Sequence, residues 1–193
     1  MIAGHFGFAA AVKSREPETP TWALMLATVW LDIVFVPLYL SGIETTQPAE
    51  VGRTGYGANI IYADYTRSLP GVILLSAVLG ALAALLWGKR SGIVIGLVAA
   101  SHWLLDLFVH RADMPILPGN IGGLPRLGLG LWRHPLLSFS IELALVLVGA
   151  WLYWRAARRV AKTEGRGERA AEISAALIGV FGVLILWMDF TGA

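Results

Sequence analysis

The chain has 193 residues, 56% of them hydrophobic and 15% charged, with a formal net charge of +2 and a mean hydropathy of +0.67. A soluble domain carries about 25% charged residues, and a chain this apolar has too few polar groups to cover a soluble surface, which leaves the class of all-α, polytopic membrane helical bundles of one domain. The absence of cysteine excludes disulfides, thiolate metal sites and thiol nucleophiles, and no basic, aromatic-interleaved patch points to nucleic acid.

Ile2 to Val12 is apolar but supplies about half of the roughly 20 residues a crossing helix needs. It reads as a short helix, re-entrant or tucked against the bundle, with His5 inside it. Lys13 and Arg15 follow the apolar piece instead of preceding it, unlike a signal peptide. Trp22 to Leu40 is the first full span, with Asp32 near its middle and Pro37 expected to kink its far end. A lone carboxylate at that depth costs on the order of 3 kcal/mol, so Asp32 is expected to face the bundle interior and a partner.

Ser41 to Thr66 reads as a long polar loop, a functional lid or a connector. Ser68 to Gly88 is the second span, rich in small residues that suit close helix packing. After the basic turn Lys89-Arg90, Ser91 to His110 is the third. It carries His102, Asp106 and His110, four residues apart and so on one helical face. Arg111 to Pro135 is a Pro/Gly-rich loop, with Trp132 expected to anchor it at the interface. Leu136 to Trp154 is the fourth span, with Glu142 inside it. A basic linker from Arg155 to Arg169 leads to the fifth span, Ala171 to Phe190, with Asp189 at its end.

About ten Lys and Arg fall on one side of these five spans and about five on the other, which puts the first side in the cytoplasm. That predicts a multi-pass protein of the bacterial inner membrane with the N-terminus cytoplasmic and the C-terminus periplasmic. Counting 1.5 Å per residue, Asp32 lies about 15 Å deep, His102 about 17 Å, Asp106 about 23 Å and Glu142 about 20 Å, with His5 at roughly 12 Å if its helix inserts from the cytoplasmic side. Ionisable groups from separate segments thus share one slab. Two readings fit: His and carboxylate ligands around zinc, iron or manganese, with water activation at an open position, or a buried network that satisfies itself and fixes helix register.

The chain resembles small bacterial integral membrane proteins related to the membrane-bound metal-dependent hydrolases, a largely uncharacterised family. The resemblance rests on Gly4-His5-Phe6, Asp32, Tyr65-Thr66-Arg67-Ser68-Leu69, Ser101-His102-Trp103-Leu104-Leu105-Asp106, His110-Arg111-Ala112-Asp113-Met114-Pro115, Gly128-Leu129-Gly130-Leu131-Trp132 and Glu142-Leu143-Ala144-Leu145. It covers the chain up to about Trp154. It implies that His5, Asp32, His102 and Asp106 are metal ligands. One position departs: where relatives carry a Tyr-Ser-His-Ser-type motif, this chain has Arg67, which stays protonated and cannot ligate a metal. Arg67 is expected to pair with Asp32, Asp64 or Asp106 instead.

Three functions follow as expectations. The first is a metal-dependent membrane hydrolase of a lipid or other amphiphile, with His110 or Glu142 as general base and Arg67 binding a phosphate or carboxylate. The second is a non-catalytic subunit or scaffold packed against other membrane subunits. The third, a small transporter, has no internal repeat to support it.

Overall fold

The structure, a computed structural model, describes residues 1–165 and 167–192; Arg166 of the basic linker and Ala193 lie outside the described residues. Six helices are present among the described residues: α1 (Ile2–Lys13), α2 (Thr21–Thr28), α3 (Trp30–Leu40), α4 (Leu69–Val109), α5 (Pro135–Thr163) and α6 (Arg169–Thr191). Two short strands, β1 (Thr45–Pro48) and β2 (Asn59–Tyr62), pair antiparallel with Thr45 opposite Tyr62. The 41–66 stretch, expected to be irregular, thus holds a hairpin.

α4, α5 and α6 are each long and apolar enough to cross a membrane, and the bent pair α2–α3 makes four if taken as one crossing. Five spans were expected. The difference lies in α4, whose 41 residues run through both the second and the third expected span. At Gly88 the backbone takes φ 83° and ψ 164°, which a side chain strongly disfavours, and the chain reverses. A Cβ on Gly80 would lie 2.9 Å from the Gly92 carbonyl oxygen and 3.2 Å from Gly96 Cα, so the legs 69–87 and 89–109 lie side by side. Small residues make that approach possible. The 22–40 span also breaks elsewhere than expected. Pro37 sits inside α3, and the 48° bend falls at Val29 (φ −114°, ψ 14°).

α1 is not peripheral. Ala3, Gly4, His5, Gly7, Ala9 and Ala10 are buried, and the helix packs against α2, α5 and α6. Its side chains are small where α5 passes: a Cβ on Gly149 would meet the Gly7 backbone, and one on Gly7 would lie 2.8 Å from Val146 N. One apolar cluster joins Ala9, Leu24, Ala27, Ile95 and Ala99 across α1, α2 and α4. A second joins Ala3, Tyr56, Val109, Trp132, Val146 and Leu186 at the end nearer the loops. Large apolar side chains remain exposed on all three long helices, Leu85 (84%), Leu97 (66%) and Phe181 (57%) among them, as lipid-facing helix surfaces require.

The direction of α1 corrects the expected topology. The N–H of Ile2 donates to Asp189 Oδ2 (3.2 Å) at the end of α6, and that of Gly4 donates to Glu142 Oε1 (3.0 Å) near the start of α5. At the other end of α1, Glu16 pairs with Arg90 at the Gly88 turn (2.9 and 3.0 Å) and Thr19 bonds Ser91 (3.1 Å). Met1 and Gly192 therefore lie at the same end of the bundle, not on opposite sides. His5 enters from the loop end, not from the basic end. Asp189, given no role by the sequence reading, ties the two together.

Candidate functional site

Asp106, on the second leg of α4, is the hub of the site. Its Oδ1 lies 3.2 Å from His5 Nε2, and its Oδ2 lies 3.1 Å from His102 Nε2, 3.3 Å from His110 Nε2 and 3.0 Å from Arg67 Nε. The i, i+4 spacing does what the helix period predicts by stacking His102, Asp106 and His110 on one face. Each of these side chains is buried. Arg67 also reaches Asp32 Oδ1 with Nη2 at 2.8 Å, so its guanidinium bridges the two carboxylates. His102 Nε2 is 3.5 Å from the same Asp32 oxygen. The rings of His5 and His102 stack at 4.1 Å between centroids.

The Tyr65-Thr66-Arg67-Ser68 motif is a built turn. Below it, the fully buried Glu44 accepts the N–H groups of Tyr65 and Thr66 (2.8 Å each) and the Thr66 hydroxyl. Ser68 caps α4 by accepting from the N–H of Gly71 (3.2 Å). The Trp103 indole donates to the Arg67 carbonyl (2.8 Å). These bonds fix the backbone at Arg67, and its side chain runs into the Asp32–Asp106 pair. Pairing with Asp64, the third option, does not occur; Asp64 takes a two-pronged bond from Arg126 (2.6 and 3.2 Å).

The Gly128-to-Trp132 motif seals the loop end of the same leg. Leu129 N–H donates to Leu107 O (2.8 Å) and Gly130 N–H to His110 O (2.6 Å), satisfying carbonyls that the helix end leaves open. A Cβ on Gly128 would strike the Arg111 carbonyl. Trp132, expected as an interfacial anchor, is instead buried with its ring 4.5 Å from that of His110.

The imidazole geometry is the informative part. His102 Nδ1 lies 2.8 Å from the Thr28 carbonyl. A carbonyl only accepts, so Nδ1 carries the proton and donates. Nε2 of a neutral ring is then a lone pair, yet it faces oxygens of Asp106 and Asp32. His110 repeats the pattern, with Nδ1 3.0 Å from Asp113 Oδ1 and Nε2 toward Asp106. Lone pairs aimed at carboxylate oxygens repel unless a second proton or a cation lies between them. The arrangement is also how metal-binding histidines are held, with the remote ring N–H on a carbonyl or carboxylate. His5 Nδ1 and His102 Nε2 are buried without a hydrogen-bond partner. Asp32 and Asp106 share the Arg67 guanidinium, which leaves one negative charge of the pair for a cation or an imidazolium proton, and Asp113 pairs with His110.

The donor atoms of His5, His102 and Asp106 lie within 4.8 Å of one another, and the group can hold a metal ion. Asp32 stands beside it, a third exposed, on the wall of a cavity of about 380 Å³ that Arg67, His102, His110, Tyr56 and Trp132 also line. Glu142 lies apart. It is fully buried, with one oxygen taken by Gly4 N–H and the other by a short bond from the Tyr56 hydroxyl. That occupation ties α1, α5 and the 41–68 loop together. Burial, and then the Glu142 bond, push the Tyr56 phenol far above the ordinary tyrosine range.

Sequence reasoning missed Thr28, Asp113, Tyr56 and Glu44. Asp113 lies three residues beyond His110 and was within reach of a spacing argument. A backbone carbonyl such as that of Thr28 carries no sequence signal. Comparison with family models, with curated proteins and with solved structures finds no match to this chain.

Proposed function

We propose that this chain is an integral membrane protein with a metal-dependent hydrolytic centre that acts on an amphiphile. The observation that carries this reading is the orientation of His102 and His110: both hold their Nδ1 protons on an outer acceptor and turn Nε2 to Asp106. His5, His102 and Asp106 would hold a divalent ion, and their imidazole and carboxylate donors suit zinc, iron or manganese. Such an ion polarises a carbonyl or phosphoryl oxygen and acidifies water. Arg67 bridges the Asp32 and Asp106 carboxylates and offsets their charge. His110, oriented by Asp113 at the cavity wall, is the group placed to take a proton.

In the membrane, α2–α3, the two legs of α4, α5 and α6 make five crossings, and α1, enclosed among them, carries the chain from the loop end to the basic end, so that both termini lie on the loop side. The end bearing Lys13, Lys89, Arg90, Arg155 and Arg158 faces the cytoplasm by the positive-inside rule. The site then opens toward the outer face of a bacterial inner membrane.

Metal analysis of detergent-purified protein should find about one divalent ion per chain, lost in His102→Ala. A wild-type protein that stays metal-free after incubation with zinc, iron(II) and manganese would sink the proposal. One observation favours a second reading. The bridge from Arg67 to Asp32 and Asp106 neutralises part of the site without any ion, as expected of a non-catalytic membrane subunit whose buried network fixes helix register. The same metal-free result would support it.

A further inference from the structure

The site cavity continues outward. It shares Ile2, Gly55, Ala58, Asn59 and Asp189 with a larger opening of about 830 Å³ bounded by the 48–59 hairpin tip and the end of α6. That opening shares Ile185 with a third hollow of about 780 Å³ on the flank of the bundle. The flank hollow has α1 as its floor, where Phe6, next to His5 in sequence, lines it. Its walls are Trp22 and Met25 on α2 and Leu177, Phe181 and Ile185 on α6. α2 and α6 each pack on α1, and the groove lies between them.

Polarity changes in one direction along this path. From Leu177 to Ile185 the α6 wall is apolar over roughly 12 Å at 1.5 Å per residue. Beyond it come Met188 and Asp189, then Arg53, Glu50 and Asn59 of the hairpin, and then the Asp32–Arg67 wall of the site. α6 is a membrane-crossing helix by length and hydropathy, so the medium at the groove is hydrocarbon and the medium at the opening is polar. The matching ligand is apolar in the groove and polar at the opening.

We infer that the flank groove binds one acyl chain of a membrane amphiphile, entering sideways from the bilayer and bringing its polar group through the opening to the His/Asp site. The inference rests on the hydrolytic reading for what happens at the site, and on the groove alone for binding.

The test uses the full-length protein in phosphatidylglycerol–phosphatidylcholine nanodiscs doped with a phospholipid that carries a photoreactive diazirine in its acyl chain. Labelled residues are then mapped by peptide mass spectrometry. Adducts should concentrate on Phe6, Met25 and Phe181, about tenfold above the lipid-exposed Leu85–Leu86 face. Leu177→Trp, which fills the groove, should lower groove labelling about tenfold, as expected when roughly two methylenes lose their contact. Phe181→Ala, which widens it, should keep labelling at Met25. Equal labelling of groove and Leu85–Leu86 overturns the inference, because it reports annular lipid only. A photoreactive benzoylphenylalanine put in place of Phe181 that crosslinks to a second copy also overturns it, because a helix of that copy then fills the groove. Groove labelling in a metal-free protein sinks the hydrolytic reading and leaves the groove standing. A metal-bearing protein with an unlabelled groove does the reverse.

Discussion

His102 holds its Nε2 3.1 Å from Asp106 Oδ2 while its Nδ1 proton is committed to the Thr28 carbonyl. A neutral imidazole in that position is repelled by the carboxylate, so on the metal-bound reading a cation between the two would stabilise the fold as well as the site, where a second ring proton would otherwise do so. A ligand that binds the native state alone adds RT ln(1 + [L]/Kd), about 2.7 kcal/mol at a hundredfold excess over Kd. Stripping the protein with a chelator should lower its thermal midpoint, and adding back zinc or manganese should restore it. In His102→Ala neither step should have an effect. A midpoint that ignores both chelator and metal in the wild type would speak for a metal-free network.

Arg67 is the residue that separates the two readings of the site. Its fork spans Asp32 and Asp106 at 2.8 and 3.0 Å, which a lysine point charge cannot do. Arg67→Lys should keep one pair and cost about 1–3 kcal/mol for the carboxylate left without its donor. Arg67→Leu should cost about 3–5 kcal/mol, as for a broken buried pair. Unfolding monitored in mild detergent orders the three proteins; a leucine variant as stable as the wild type would mean the bridge contributes nothing.

Much of this site was legible from sequence, and the reasons differ by residue. Asp32, His102 and Asp106 stand out because apolar helices rarely keep ionisable groups, and the four-residue spacing fixes their common face. The partners of Arg67 were narrowed to three by charge alone, and two of those three pair with it. What escaped depends on the path of the backbone. The bend at Val29 that sets the Thr28 carbonyl against His102 follows no proline. The direction of α1 cannot be read from twelve apolar residues, because a short helix of small side chains carries no sign of which end enters first. The span count differed from five because the Gly88 reversal leaves helical hydrogen bonding on both sides of a single non-helical residue.

The Tyr56 phenol is held neutral by burial and by its bond to Glu142, so its ionisation lies far above the ordinary value. An unfolded tyrosine ionises near pH 10. The folded protein is thus favoured by this group below pH 10 and loses that advantage as pH rises above it, because only the unfolded state then gains a charge. Tyr56→Phe should unfold more readily at neutral pH, by about 1–3 kcal/mol for the buried Glu142 oxygen left without a donor. It should also show less of the alkaline decline. Its metal content should match the wild type; loss of metal in Tyr56→Phe would place Glu142 in the site after all.

The chain has no cysteine, so single-cysteine variants report topology cleanly. Lys89→Cys, at the Gly88 turn, should react with a membrane-impermeant maleimide only after the cells are opened. Ile121→Cys and Gly52→Cys, in the two loops at the site end, should react in intact spheroplasts. Thr191→Cys should behave like the loop variants, since Asp189 lies against Ile2 at that end. Labelling of Lys89→Cys and Ile121→Cys from the same side would overturn the five-crossing arrangement.

Gly7 and Gly149 let α1 and α5 touch backbone to backbone. A Cβ at either position would run into main-chain atoms of the other helix, which cannot rotate out of the way. Gly149→Ala should therefore force the helices apart and cost about 1–3 kcal/mol, the usual penalty for overpacking. Gly179 on α6 provides the contrast. Its nearest neighbour to an added Cβ is Ala150 Cβ at 4.0 Å, an ordinary contact. Gly179→Ala should be neutral or stabilising by up to about 1 kcal/mol, the difference in helix propensity. Displacing α1 also displaces His5, so Gly149→Ala should weaken metal binding at a distance from the site, whereas Gly179→Ala should leave it intact. Thermal unfolding and metal titration of the pair test both points. If Gly149→Ala binds metal as the wild type does, α1 is not what positions His5.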